Sequence, residues 1–379
     1  MESIDAALRL IAFYLPQFHP VPENDRWWGE GYTEWHALRR ARPSFAGHAM
    51  PRLPTGPLGF YDLRDPAVPE AQAALARAHG VHGFCYYHYW FAGRGFLDAP
   101  LAAIARSGRP AFPYCLCWAN ESLTRNWDGR PQDVLLAQRH DPASDAAFID
   151  SVIPHFRSPH YITLDGAPLL LVYRAPLLSD APAVAAAWRR RCRDAGLPAP
   201  HLCAVETHGV GDPALLGFDS VVEFPPHRLA EGLPPATVRD LDANFHGTIR
   251  DYGRAADLAE ARPVPAYRRY RGIMPGWDNT PRRGLAAKLF VDATPERYEL
   301  WLHRMAAQTL AVQPPAHRLM FVNAWNEWGE GAHLEPDGTF GAAFLDATRR
   351  VLRAPGAEEP ASASAAPPQA AAPVAARQA

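Results

Sequence analysis

The stretch Pro168-Leu-Leu-Leu-Val-Tyr-Arg174, then Pro182 to Ala195 (PAVAAAWRRRCRDA), then His201-Leu-Cys-Ala-Val-Glu-Thr207 decides the fold class. The two outer pieces are short apolar runs, too short for buried helices and without the polar alternation of a half-exposed strand. The middle piece has its apolar residues at helical spacing and arginines on the remaining face. A buried strand, a helix and a second buried strand in so short a span is the repeating unit of a parallel sheet.

Working outward, the same alternation covers most of the chain. Strands are expected at Leu8 to Leu15, His82 to Tyr87, Ala111 to Trp118, Pro168 to Arg174, His201 to Thr207, Ser220 to Phe224, Tyr267 to Met274 and Arg318 to Trp325. Helices are expected at Val68 to His79, Ala99 to Arg106, Ser144 to Phe156, Pro182 to Ala195, Thr248 to Ala261, Pro295 to Ala311 and Gly341 to Leu352, whereas Pro213 to Leu216, after the fifth strand, is too short for one. Eight strands, each followed by a helix or a long loop, predict an α/β fold of the (β/α)8 TIM-barrel type, one domain over residues 1–353 with long βα loops. No G-x-G-x-x-G follows the first strand, which removes the main support for a doubly wound dinucleotide-binding sheet. Residues 354–379 are mostly Ala, Pro and Ser with almost no large apolar side chain, the composition of a disordered tail.

Composition excludes several classes of partner. Across 379 residues, 38 Lys and Arg face 40 Asp and Glu, a formal charge of −2 that offers no field to hold nucleic acid or an anionic membrane surface. Five cysteines, Cys85, Cys115, Cys117, Cys192 and Cys203, show neither C-x-x-C spacing nor a zinc pattern, and Cys115 and Cys117 alternate along a strand as small core or barrel-lining residues. His19, His82, His88, His208, His227 and His333 never pair as H-x-x-x-H or H-E-x-x-H, so the reading includes no metal and no cofactor. The first twenty residues lack a basic leader, and Pro16, Gln17 and His19 break their apolar run. No apolar run anywhere reaches the length of a membrane span, so the expectation is a cytoplasmic chain.

A barrel places chemistry in the loops after its strands, and there the sequence is rich in aromatic and polar residues. Nine of 11 tryptophans, Trp27, Trp28, Trp35, Trp90, Trp118, Trp127, Trp277, Trp325 and Trp328, fall at strand ends or in the loops that follow. Indole faces suit the C–H faces of sugar rings, so this clustering points to a saccharide site. The densest constellation follows the eighth strand: Asn323, Trp325, Asn326, Glu327, Trp328, Glu330 and Glu335, shaped by Gly329 and Gly331. Two carboxylates three residues apart, Glu327 and Glu330, supply the pair that glycosidic cleavage needs, one protonated to release the leaving oxygen and one ionised.

Side chains for hydroxyl recognition come from several loops. They are Tyr14, Gln17, His19, Trp28, Glu34 and Trp35 after strand one; Tyr87, His88 and Trp90 after strand two; and Trp118, Asn120, Glu121 and Arg125, followed by Asn126, Trp127 and Asp128, after strand three, where an Arg-carboxylate network bracing a long loop is an equally open reading. Glu206 and Glu223 close strands five and six, beside His208 and His227 in sequence, and there substrate contact and a buried network are equally open readings. Trp277 and Asp278 close strand seven.

The segments YLPQFHPVPENDRWWGEGYTEW, GFCYYHYWF, CWANESLTRNWDG, FDSVVEFPP, WDNTPRRG and NAWNEWGEGAHLEPD, in this order and spacing, resemble the WbsX family over residues 9 to 352. That family is found in bacterial surface-polysaccharide loci and is related to family 99 glycoside hydrolases, the endo-α-mannosidases. The N-E-W-x-E-G element is the part shared with those hydrolases. The resemblance implies that Glu327 deprotonates a sugar 2-hydroxyl, giving a 1,2-anhydro sugar with overall retention, and that Glu330 acts as acid and then base. It also shows departures: Glu30 stands where relatives generally carry Lys, and Leu123 where they carry Trp, which implies a different subsite.

The combined expectation is a retaining, mannosidase-like glycosidase or transglycosylase acting on a bacterial surface polysaccharide or its precursor. One alternative is a glycosyltransferase, for which a nucleotide sugar is the donor and Arg125, Arg282 and Arg283 converge on a diphosphate. The other is a glycan-binding protein with inert carboxylates.

Overall fold

The computed structural model describes residues 8–91, 93–125, 130–207 and 209–352. Asn126, Trp127, Asp128, His208 and the 354–379 segment lie outside the described residues. Eight parallel strands form the frame: β1 (Arg9–Tyr14), β2 (Val81–Phe91), β3 (Tyr114–Trp118), β4 (Ala167–Val172), β5 (His201–Glu206), β6 (Ser220–Glu223), β7 (Arg269–Ile273) and β8 (Leu319–Val322). Each pairs with its neighbours in chain order, and β1 pairs with β8 as well as with β2, which closes the sheet into a (β/α)8 barrel. All eight expected strands are present.

The longer helices that follow the strands are α1 (Ala67–Ala78), α2 (Ala99–Ser107), α3 (Pro142–Phe156), α4 (Ala181–Asp194), α5 (Tyr252–Ala261), α6 (Pro295–Val312) and α7 (Ala343–Leu352), with short helical turns in the loops between. Among the described residues between β5 and β6 stands only a 3₁₀ turn, Pro213–Leu216. Several helix starts follow from side-chain caps that satisfy otherwise orphaned N–H groups. Asp141 accepts from Ser144 N at 2.8 Å, Asp180 from Ala183 N at 3.1 Å and Asp251 from Arg254 N at 2.7 Å. The Asp251 cap corrects one expectation: the helix foreseen from Thr248 begins at Tyr252, and Thr248–Asp251 is a short strand paired in parallel with Lys288–Val291.

Period-two alternation fills the barrel. Cys85, Cys115, Cys117 and Cys203 are fully buried, with the thiols of Cys115 and Cys117 against that of Cys85. Above them, Phe13 packs edge-on to Phe224 at 4.9 Å and against Phe321 at 5.6 Å and Tyr87 at 6.0 Å. This aromatic layer plugs the barrel beneath the C-terminal strand ends, so the space above it is a cleft with an apolar floor rather than a channel. Among the described residues no helix is long and apolar enough to cross a membrane.

Candidate active site

Past β8 the chain makes a small hairpin in which Asn326–Glu327 pairs antiparallel with Ala332–His333 around a 3₁₀ turn, Trp328–Glu330. The turn sets Glu327 and Glu330 on either side of one glycine. A Cβ at Gly329 would lie 2.7 Å from Arg282 Nε and 3.0 Å from Glu34 Oε2, so only glycine lets the backbone approach that closely. Gly331, at φ +59°, completes the turn in the left-handed region.

The centre of the site is Arg282, carried on a short helix, Thr280–Arg283, after β7. Its Nη2 meets Glu34 Oε1 at 2.6 Å and Glu327 Oε1 at 2.8 Å, and its Nη1 meets Glu330 Oε1 at 3.0 Å. Gln17 donates to the other oxygen of Glu34, and the Tyr89 hydroxyl donates to Gln17 at 3.1 Å. Three carboxylates therefore share one guanidinium. Burial pushes the Glu327 carboxyl well above the usual carboxylate range; Arg282 opposes this, while Glu34 and Glu330 add to it. Glu330 is raised from the same causes, and its side chain is the more open of the two, 21% exposed against 7%. One guanidinium thus faces three buried carboxylates, an arrangement that favours the protonated forms of Glu327 and Glu330.

Both glutamates line a cleft of about 580 Å³. Gln17, Tyr87, Glu121, Trp277 and Asn323 line it with them, and Leu123, the departure from the family's Trp, lines it too. Glu121 is held by Arg174, and Asn323 donates to Pro225 O at 2.8 Å. Glu34 touches the site one layer back, through Gln17 and Arg282.

The other expected contacts lie elsewhere, for identifiable reasons. Trp35, Trp90, Trp118, Trp325 and Trp328 are core: each is under 5% exposed. Four of their N–H groups are satisfied internally, Trp118 on Trp90 O, Trp35 on Tyr61 O, and Trp325 and Trp328 both on Glu335. Glu335 also accepts from Tyr61 and Gln72; burial pushes its carboxyl up to about 7 while these four donors pull it down. Tyr14 donates to Gln72 on α1, and Asn326 brackets the Leu15 backbone. Asn120 clamps the Arg174 backbone in the same way.

His19 and His88 are buried, and burial lowers both pKa values, that of His88 to about 3. Trp28 packs on Tyr32, with the Arg125 guanidinium 4.7 Å from its ring, outside the cleft. Asp278 pairs with His48 at 2.6 Å. Glu206 and Glu223 are cross-strand neighbours turned to the outside of the barrel, where Arg262 bridges them at 2.7 and 3.0 Å and Arg269 and Arg271 join Glu223. For these two, the network reading holds.

The sequence did not mark Tyr173 and Phe224, which with Tyr87 and Tyr89 form the aromatic surface of the cleft. It marked Arg282 only as a candidate phosphate ligand. Of the three arginines expected to converge in a transferase, Arg282 and Arg283 line the cleft and Arg125 does not. Among the described residues no group of three or more His, Cys, Asp or Glu gathers as a metal site would.

Comparison with known proteins then places this geometry. The family model described as glycosyltransferase WbsX matches residues 10–348, nearly the whole described barrel. The chain belongs to the WbsX glycosyltransferase family. The WxcX protein of Xanthomonas campestris pv. campestris is 48% identical over 355 residues, covering 93% of this chain and 51% of the relative. The chain thus spans about half the length of the curated relatives it matches. Among solved structures, a glycoside hydrolase-like protein superposes with a TM-score of 0.59 at 14% identity, covering 93% of this chain and 95% of that one. A family 99 endo-α-mannosidase from Bacteroides thetaiotaomicron follows at 0.55 and 13%, covering 91% and 96%. These two likenesses share the barrel fold with this WbsX chain.

Proposed function

We propose that the chain cleaves or transfers glycosidic bonds in a bacterial surface polysaccharide or its precursor, as a retaining glycosidase or transglycosylase using Glu327 and Glu330. The observation that carries the reading is the pair itself: two glutamates on one turn, both facing an aromatic-walled cleft and both bound to the Arg282 guanidinium. The family resemblance assigns Glu327, the deeper of the two, as the base, with the Arg282 guanidinium at 2.8 Å to hold its ionised form. It takes the proton of the sugar 2-hydroxyl as O2 closes on C1. Glu330, the more open, gives its proton to the departing glycosidic oxygen, and the C1–O bond breaks to leave a 1,2-anhydro sugar. Glu330 then takes a proton from water or an acceptor hydroxyl that attacks C1, the C1–O2 bond of the anhydro ring breaks, and Glu327 returns its proton to the freed O2. Two displacements at C1 give net retention, and neither step calls on a metal or a nucleotide.

Tyr87, Tyr89, Tyr173, Phe224 and Trp277 supply the faces on which sugar rings pack. A second reading, a transferase with an activated donor, draws on the family's description and on the cationic side chains along part of the cleft. Chromatography of the surface polysaccharide after incubation with wild type, Glu327→Gln and Glu330→Gln separates the two. Shortened glycan from wild type alone, without nucleotide sugar, supports the proposal; extension that requires a nucleotide sugar replaces it with the second reading.

A further inference from the structure

The two short strands Thr248–Asp251 and Lys288–Val291 form a ribbon along the cleft, with Thr248 opposite Lys288 and Arg250 opposite Phe290. Side chains alternate across such a ribbon. Ile249 and Leu289 are buried at its back, in a small core of their own with Ala287 and, partly, Phe45 and Val238. The front therefore presents Thr248, Arg250, Lys288 and Phe290, and all four line the cleft. The Arg250 guanidinium is partly buried and anchored on its own side, donating to Ile249 O at 3.1 Å and Ala230 O at 3.4 Å. Neither Arg250 nor Lys288 meets a carboxylate among the described residues. Arg228, held by Glu206 at 3.1 Å, Arg283 and Glu231 line the same cleft. Glu121, Glu327 and Glu330 also line the cleft, but Arg174 holds the first and Arg282 the other two, which leaves Arg250 and Lys288 on the ribbon without a carboxylate of their own among the described residues.

We propose that this ribbon is an anion subsite: Arg250 and Lys288 bind an oxyanion carried by the saccharide, and Phe290 packs against the sugar that bears it. The inference rests on the reading of the cleft as a glycan site. Holding Arg250 partly out of water without a carboxylate is unfavourable until a ligand supplies one, and a guanidinium beside an ammonium is the set that recognises planar or tetrahedral oxyanions. The oxyanion is a sugar carboxylate or a sugar-linked phosphate; both present the same charge and acceptor oxygens to these donors. The substrate is then an acidic or phosphorylated glycan rather than a neutral one.

Calorimetric titration of the full chain with three probes tests this: glucuronosyl-mannose, the same disaccharide with its carboxyl reduced to a hydroxymethyl, and inorganic pyrophosphate. Wild type is expected to bind at least one anionic probe about tenfold or more tighter than the neutral disaccharide, with the advantage shrinking as salt is raised. Preference for the glucuronate identifies a carboxylated sugar, and preference for pyrophosphate a phosphorylated one. In Arg250→Gln/Lys288→Gln the preference disappears while neutral binding and the melting temperature stay as in wild type, and Arg250→Lys keeps part of it. Equal binding of the three probes by wild type, or a preference that survives the double substitution, overturns the proposal. The two readings fail separately. Charge preference without any glycan turnover leaves the subsite standing and removes the glycosidic reaction, whereas Glu330-dependent turnover that is indifferent to substrate charge does the reverse.

Discussion

Replacing Arg282 with Met removes the one cation that three carboxylates share, at 2.6, 2.8 and 3.0 Å, from a side chain only 9% exposed. Removing one partner of a buried ion pair costs roughly 3–5 kcal/mol. The cluster can limit that loss by taking up a proton. At pH 7, protonating one further glutamate of ordinary pKa costs about 3.5 kcal/mol, and at pH 5 about 1 kcal/mol. The destabilisation is therefore expected at about 3–5 kcal/mol near neutrality, shrinking by about 2.5 kcal/mol at pH 5. The sign follows from the direction of the shifts. Burial and like charge already raise Glu327 and Glu330, and loss of Arg282 raises them further. Groups raised in the folded state stabilise it below their unfolded pKa, and that contribution is lost as pH rises through the folded value. Urea unfolding followed by tryptophan fluorescence at pH 5 and pH 8, for wild type and Arg282→Met, reads the difference. A deficit equal at both pH values, or larger at pH 5, refutes the shared-charge account.

Four further outcomes are expected. Glu327→Gln and Glu330→Gln each lower kcat by about 10²–10⁴ and the double variant falls little further, because the two act as a unit; additive losses in steady-state kinetics would contradict this. Trp277→Ala, at the cleft wall, weakens saccharide binding with little change in melting temperature, whereas Trp118→Ala, fully buried on Phe148 at 3.9 Å, costs about 3–5 kcal/mol. Gly329→Ala forces Arg282 or Glu34 aside and is expected to depress turnover more than stability, as a parallel assay and thermal melt would show. Glu335 is raised to about 7, so its contribution to stability fades between its ordinary value and neutrality; Glu335→Gln is consequently less costly at pH 8 than at pH 5 in denaturant titrations.

The barrel was legible because its strands are buried on both faces and read as unbroken apolar runs, as in Leu169 to Val172 and Leu202 to Val205. Thr248 to Asp251 was not, since four residues with one Ile sit directly ahead of a helical pattern and only the Asp251 cap separates the two. The glutamate pair was legible from its spacing at a strand end. Its counter-charge was less so, because Arg282 lies 45 positions earlier than Glu327 and nothing local marks which arginine will return to it. The tryptophans misled for a physical reason: an indole at a strand end serves equally well as a lid on the core or as a sugar platform, and Trp118, Trp325 and Trp328 are lids whose N–H groups end on protein acceptors. Glu206 and Glu223 were ambiguous because a strand's end residue can point to either face; here the outward face meets Arg262 and Arg271.

The central claim is that Glu327 and Glu330 break a glycosidic bond with retention, and proton NMR of the anomeric signals tests it most directly, recorded as the surface polysaccharide is incubated with wild type and with Glu330→Gln in the absence of any nucleotide sugar. The account predicts that wild type releases chains whose first-formed anomer matches the bond that was cut, and that Glu330→Gln releases none on the same timescale. Release of the opposite anomer, or release at an equal rate by Glu330→Gln, would contradict it.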